Sequence, residues 1–170
     1  MKEKHVIGED ISFAPIGVER IGEAMKFQAD IIKRMNNKDF FTPLTKQEFV
    51  KPIKGRDNVY FLTYKNELIG LAVATCDIPE ILLDYKITDK NVMLIDSIMI
   101  KKEFRGFGLQ KQVLELLEKR VRELGLDGLV ATVHPENIYS LRNFLEMGYL
   151  VLHSALLHGG ERLVLCKKIA

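Results

Sequence analysis

Val18, Ile21, Met25, Ala29 and Ile32 recur at steps of three and four, the stripe of an amphipathic helix that ends near Asn36 and Asn37. Ile11 to Pro15 before it reads as a short strand, and Thr45 to Val50 after it as a shorter helix. The pattern then changes. Val59 to Tyr64 and Leu68 to Cys76 are dense in β-branched, aromatic and other apolar residues, and the break Lys65-Asn66-Glu67 predicts a hairpin. Asp77 to Asn91 is a polar, irregular connection, whereas Val92 to Ile100 has the length and β-branched content of a central strand.

Leu109, Val113, Leu116, Leu117, Val121 and Leu124 define a long amphipathic helix with Gly125 at its C′ position. Leu129 to Val133 predicts another buried strand. Asn137 to Met147 predicts a helix with Leu141, Phe144 and Leu145 inward and Gly148 as its stop. Tyr149 to His153 and Arg162 to Lys167 form a final strand pair, turned through His158-Gly159-Gly160. With no repeat, low-complexity tract or linker, the reading is one mixed α/β domain over residues 1–170.

Composition narrows the function. A chain of 170 residues, 47% apolar, buries a core without staples. The formal net charge of +2 lacks the basic excess that binding to a phosphate backbone demands, so no nucleic-acid partner is expected. Cys76 and Cys166 are far apart in apolar runs and form no CxxC pair, so they read as buried free thiols, with no metal site. The first ten residues lack the apolar stretch of a signal peptide, and no segment approaches ~18 apolar residues, so the reading is a soluble cytoplasmic protein without a membrane partner.

Candidate chemistry concentrates at Arg105-Gly106-Phe107-Gly108, between a predicted strand and a predicted helix. Glycines there allow close approach to backbone N–H groups, and the helix start adds partial positive charge. An anion site is expected, with Lys101, Lys102, Arg105 and Lys111 adding formal charge; a plain tight turn before a helix is the alternative. The Walker pattern GxxxxGK[ST] is absent and GxGxxG lacks its third glycine, which weakens ATP, GTP and NAD as ligands.

This stretch resembles the GNAT family of N-acetyltransferases, whose strand-loop-helix carries [Q/R]-x-x-G-x-[G/A]. Arg105 and Gly108 match, and Gln110 stands where Gly or Ala is usual. Ile95 to Ile100 is similar to the family's fourth strand. Thr132 to Ser140 and Phe144 to Tyr149 are similar to its strand, N-x-x-[A/S], and helix ending in G-[F/Y], so the strong match runs from 92 to 149. The resemblance implies a central mixed, mostly antiparallel sheet of about seven strands flanked by helices and splayed between the fourth and fifth. It also implies acetyl-CoA as co-substrate. The amides of Gly106, Phe107, Gly108, Leu109, Gln110 and Lys111 would hold the pyrophosphate. Ile98, Met99 and Ile100 would line the pantetheine arm through backbone groups, with Asn137, Ser140 and Phe144 on the other side; Asn137 also fits a helix N-cap.

The implied reaction is direct acetyl transfer to an amine. An alkylammonium with a pKa near ~10.4 must lose a proton before it attacks. Asp96 matches an acidic position of the family's strand and is the first candidate base, against a structural role. His134 is the second, against a simple backbone hydrogen bond. Phe144 falls where the family often places a tyrosine acid, and Tyr149 is expected to pack instead. The acceptor would be met by Asn36 to Lys46 with Phe40 and Phe41, by the acidic Asp77 to Asn91, and by Leu156 to Glu161, with His158 and Arg162 as further contacts. The alternative is a non-catalytic acyl-CoA-binding module, and the final strands are expected to offer an edge for a homodimer.

Overall fold

The computed structural model describes residues 10–55, 58–76, 78, 91–157 and 159–169. Of the predicted connection over 77–91, only Ile78 and Asn91 fall within the described residues, and His158 lies outside them. The strands are β1 (Ile11–Pro15), β2 (Asn58–Tyr64), β3 (Glu67–Thr75), β4 (Val92–Ile100), β5 (Gly128–Val133), β6 (Leu150–Leu157) and β7 (Gly160–Lys168). The helices are α1 (Ile21–Lys33), α2 (Lys46–Lys54), α3 (Leu109–Leu124) and α4 (Ile138–Glu146). All strands join one sheet in the order β1-β2-β3-β4-β5-β7-β6. Every neighbouring pair is antiparallel except β4 and β5, which are parallel.

Each element has a local cause. The β2–β3 hairpin turns on Lys65 and Asn66, both at positive φ, as a two-residue turn with right-handed twist requires. Thr45 and Glu48 close a capping box at the start of α2. Gly125, at φ +67°, ends α3. On one face of the sheet, Val113, Leu114, Leu117 and Val121 of α3 and Phe144 of α4 pack on Ile69, Met93, Ile95 and Leu129. On the other face, Ala24, Phe27 and Ile31 of α1 and Phe49 of α2 pack on Phe61, Leu71, Val73 and Met99. A fully buried Leu or Phe contributes about 1.5–3 kcal/mol by leaving water, so these layers hold the sheet rigid under the site.

Several boundaries differ from the pattern. α2 runs past Val50 to Lys54, through Pro52, because burial of Phe49 and Pro52 outweighs the backbone bond that proline cannot make. β6 and β7 extend to Leu157 and from Gly160, since their pairing continues to the Leu157/Gly160 pair at the turn. Leu145 is exposed rather than inward, and only Leu141 and Phe144 of the predicted trio reach the core. Cys76 and Cys166 form no disulfide among the described residues, and both are half-buried rather than buried. β6 is a sheet edge, with Leu150, Val151, Leu152 and Leu156 exposed.

Two irregularities matter for function. The β4–β5 pairing runs from Val92/Gly128 only as far as Ile95/Ala131, although β4 continues to Ile100 and β5 to Val133. The strands therefore part, which is the splay expected between the fourth and fifth strands. At that point β3 pairs Val73 with Ser97 and Ala74 with Ile95, so Asp96 is the extra residue of a β-bulge.

Candidate active site

The loop from β4 to α3 is an arc of unused donors. Arg105 N–H bonds the Lys102 carbonyl and Gln112 N–H bonds the Gly108 carbonyl; none of the backbone N–H groups from Gly106 to Lys111 has a protein acceptor among the described residues. Gly106 and Gly108 stand at φ +82° and +78°, which turns successive amides toward one side, and an added Cβ at either would meet open space. Gly108 caps α3 without a side-chain bond, and no acidic residue occupies the first turn. This is an anion cradle made of backbone.

Side-chain charge contributes less than the sequence suggests. Lys101 pairs with Glu67 at 3.0 Å and Lys111 with Glu146 on α4. Arg105 Nε donates to the Ile100 carbonyl at 3.0 Å, fixing the loop to the end of β4. That bond occupies one lone pair of Ile100, leaving Ile98 the less committed backbone on the splayed edge. Met99 turns its side chain to the opposite core, against α1 and α2, so only its backbone can face a ligand. Phe107 and Leu109 pack beneath the loop.

Gln110 has a role that its departure from the family pattern did not reveal. Its Nε2 donates to Ser140 Oγ at 3.0 Å and its Oε1 accepts from Asn143 Nδ2 at 2.9 Å, clamping α3 to α4. Asn137 caps α4 by accepting from Ser140 N–H at 3.5 Å, which leaves its amide N–H groups for the cavity.

A cavity of about 220 Å³ lies where the strands part, lined by Asp96, Ser97, Ile98, His134, Asn137 and Phe144. Asp96 is half-buried, and burial first, then the Glu48 carboxylate, pushes its carboxyl up to about 6. The Ser97 hydroxyl is buried with no hydrogen-bond partner. His134 Nδ1 accepts from Glu136 N–H at 3.1 Å, and its ring lies 5.1 Å from that of Phe40. A nitrogen that accepts a backbone N–H keeps its lone pair, so the neutral ring carries its proton on Nε2. Phe144 brings no hydroxyl, and it packs edge-on against Tyr149 at 5.0 Å. Tyr149 OH is buried away from the cavity, where burial and Glu118 raise its pKa.

The remaining wall is a loop from Asn37 to Thr45. Gln28 on α1 donates to the Leu44 carbonyl at 2.9 Å and accepts from Leu44 N–H at 2.8 Å, both buried. Asn37 Oδ1 accepts from Asp39 N–H, and Arg162 Nη2 donates to the Asp39 carbonyl at 2.7 Å. Phe40, Phe41, Thr42 and Leu44 are thereby held against the cavity. Ser97, Thr132 and Glu48 were missed by sequence reasoning. Glu48 carried a signal, the Thr45-x-x-Glu48 capping pattern, but that pattern tells of a helix start and not of a cavity.

Among the described residues no group of three or more His, Cys, Asp or Glu is placed to hold a metal, and no helix is long and apolar enough to cross a membrane.

Comparisons agree with this architecture. An acetyltransferase of the GNAT family from Streptococcus pneumoniae superposes with a TM-score of 0.74 at 16% identity, covering 94% of this chain and 99% of that one. A putative acetyltransferase from Salmonella typhimurium, solved with its cofactor acetyl-CoA, gives 0.71 at 12% identity over 95% of each chain. The ribosomal-protein-S18-alanine N-acetyltransferase from Escherichia coli gives 0.69 at 13% identity over 94% of each. No curated protein matches the sequence. The model of the acetyltransferase (GNAT) family matches residues 29–149, from α1 through Tyr149, and with the splayed sheet and the loop after β4 it places this chain in that family.

Proposed function

We propose that the protein is an acetyl-CoA-dependent N-acetyltransferase that passes an acetyl group directly to a primary amine. The observation that carries this reading is the continuity of the amide arc at Gly106–Lys111 with the β4–β5 splay, where Asp96 stands at the branch. The residues fit the cofactor. An arc of unpartnered amides suits a pyrophosphate, and the open edge of β4 with the Asn137 amide suits an extended arm. When bound, acetyl-CoA supplies an activated acyl thioester.

The chain's own groups do the rest. The loop and α4 fix the donor end, and the wall from Phe40 to Leu44 fixes the acceptor end, which is catalysis by positioning. Asp96, with a carboxyl near 6, is ionised at neutral pH yet more basic than an exposed aspartate, as a base for an ammonium requires. His134, protonated on Nε2, is a donor toward the cavity; acting as a base at Nδ1 would break its bond to Glu136 N–H. Phe144 leaves water to protonate the departing thiolate, an undemanding task for a thiol of pKa near ~8.5.

A non-catalytic acyl-CoA-binding module is the second reading, favoured by the same Phe144. Release of CoA thiol from acetyl-CoA, dependent on added amine and lost in Asp96→Asn, supports the transferase; acetyl-CoA binding without release under any amine overturns it.

A further inference from the structure

Two charged side chains are more than nine-tenths buried among the described residues, Glu118 and Arg162. They differ in company. Glu118 has Lys167 Nζ at 2.8 Å, an ion pair. Arg162 forms no ion pair with a described residue and donates only to carbonyls, Nη1 to its neighbour Glu161 at 2.9 Å and Nη2 to Asp39 at 2.7 Å. A guanidinium has five N–H groups, so Nε–H and a second hydrogen on each Nη have no described acceptor. Burial lowers its pKa and the Asp39 carboxylate offsets this only from beyond ion-pair distance, which leaves a desolvated cation short of a counterion.

That cation borders the cavity. Arg162 is one of its lining residues, and the register that pairs Val133 with Leu163 brings Arg162 beside His134, at the end of β5. Asp96 and Glu48 line the same cavity, and Glu48 is near enough to raise the Asp96 carboxyl. The cavity therefore has a cationic pole at Arg162 and an anionic one at Asp96 and Glu48. A single small ligand satisfies both when it carries an ammonium and a carboxylate; the planar guanidinium fork matches a carboxylate in two parallel bonds. The cavity of about 220 Å³ is also lined by Ile98, Asn137 and Phe144, on the side proposed for the cofactor arm, so the space between the two poles is that of a small ligand.

We propose that the acceptor is a free amino acid, its carboxylate held by Arg162 and its amine directed to Asp96. This rests on the transferase reading above for the amine's fate, but the carboxylate site itself does not. Arg162 is then a specificity-determining residue. Its bond to the Asp39 carbonyl couples the carboxylate site to the wall that carries Phe40 and Phe41.

The test uses the protein saturated with CoA, so that nothing turns over. Each free L-amino acid is titrated against its own α-carboxamide, with binding read by calorimetry. The expected result is at least one amino acid that binds at least tenfold tighter than its carboxamide, with the preference abolished in Arg162→Gln and reduced in Arg162→Lys. An unchanged CoA affinity shows that the variants are folded, and the acid-versus-amide comparison in the unaltered protein needs no variant. Equal binding of acids and carboxamides, or no binding of any amino acid, overturns the proposal. Acetyl transfer is scored separately. Amino-acid binding without CoA release from acetyl-CoA would sink the transferase reading alone, and release with simple alkylamines but no preference for the acid would sink this inference alone.

Discussion

The two ends of the cavity are built by different means. At the donor end, contiguous backbone from Gly106 to Lys111 presents its N–H groups, and the nearby cations Lys101, Arg105 and Lys111 are largely committed to Glu67, the Ile100 carbonyl and Glu146. At the proposed acceptor end, side chains from four separate segments line the cavity: the wall from Phe40 to Leu44, which Gln28 of α1 holds from behind, Glu48 on α2, Asp96 on β4 and Arg162 on β7. A backbone site tolerates side-chain change because the amides persist. A side-chain site changes ligand with one substitution, which is how one scaffold keeps its donor and varies its acceptor.

Substitutions at each end test this contrast. Asp96→Asn has the largest expected effect, lowering kcat by about 10²–10⁴ while leaving acetyl-CoA affinity intact, measured by thiol release and by titration. The same variant has a stability signature. The folded carboxyl, near 6, holds its proton more tightly than an unfolded one near 3.8, so stability falls as pH rises between those values and is flat above them. Asp96→Asn lacks that fall and is more stable than the parent by roughly 3 kcal/mol well above pH 6, with no gain below pH 4, in thermal unfolding across pH.

Gly108→Val strikes the donor end. A β-branched residue at φ +78° costs roughly 1–2 kcal/mol and disorders the amide arc, so acetyl-CoA affinity should drop about tenfold or more. Gln28→Ala strikes the acceptor end. It leaves the buried Leu44 N–H and carbonyl unpaired, at about 1–3 kcal/mol, and should raise the acceptor KM with little change for acetyl-CoA. Lys111→Ala is the smallest, removing a solvent-screened ion pair with Glu146, and should leave both the melting temperature and acetyl-CoA affinity nearly unchanged. If it weakened acetyl-CoA binding as much as Gly108→Val, the backbone account of the donor end would be wrong.

Legibility in the sequence follows the same division. β4, its loop and α3 appear with their bounds at Val92–Ile100 and Leu109–Leu124 because glycine placement and helical spacing are local signals. The strand order β5-β7-β6 is a long-range outcome that no local pattern records. Asp96 was visible as an acid in an apolar run, yet its bulge exists only relative to the register of β3. Arg162, beside the His158-Gly159-Gly160 turn, was expected only as a further acceptor contact; its burial and its bond to the Asp39 carbonyl, far along the chain, are long-range outcomes that no local pattern records. Gln110 read as a mismatch to a motif, and only the neighbouring α4 shows it to be a clamp.

The most direct test of the central claim is the pH profile of amine-dependent CoA release for the parent protein and Asp96→Asn. The account predicts that parent activity falls on acidification with an apparent pKa about 6, and that this limb disappears in the slower variant. Equal rates and the same acid limb in both proteins would contradict it, leaving the splay as a binding site for the cofactor without Asp96 as its base.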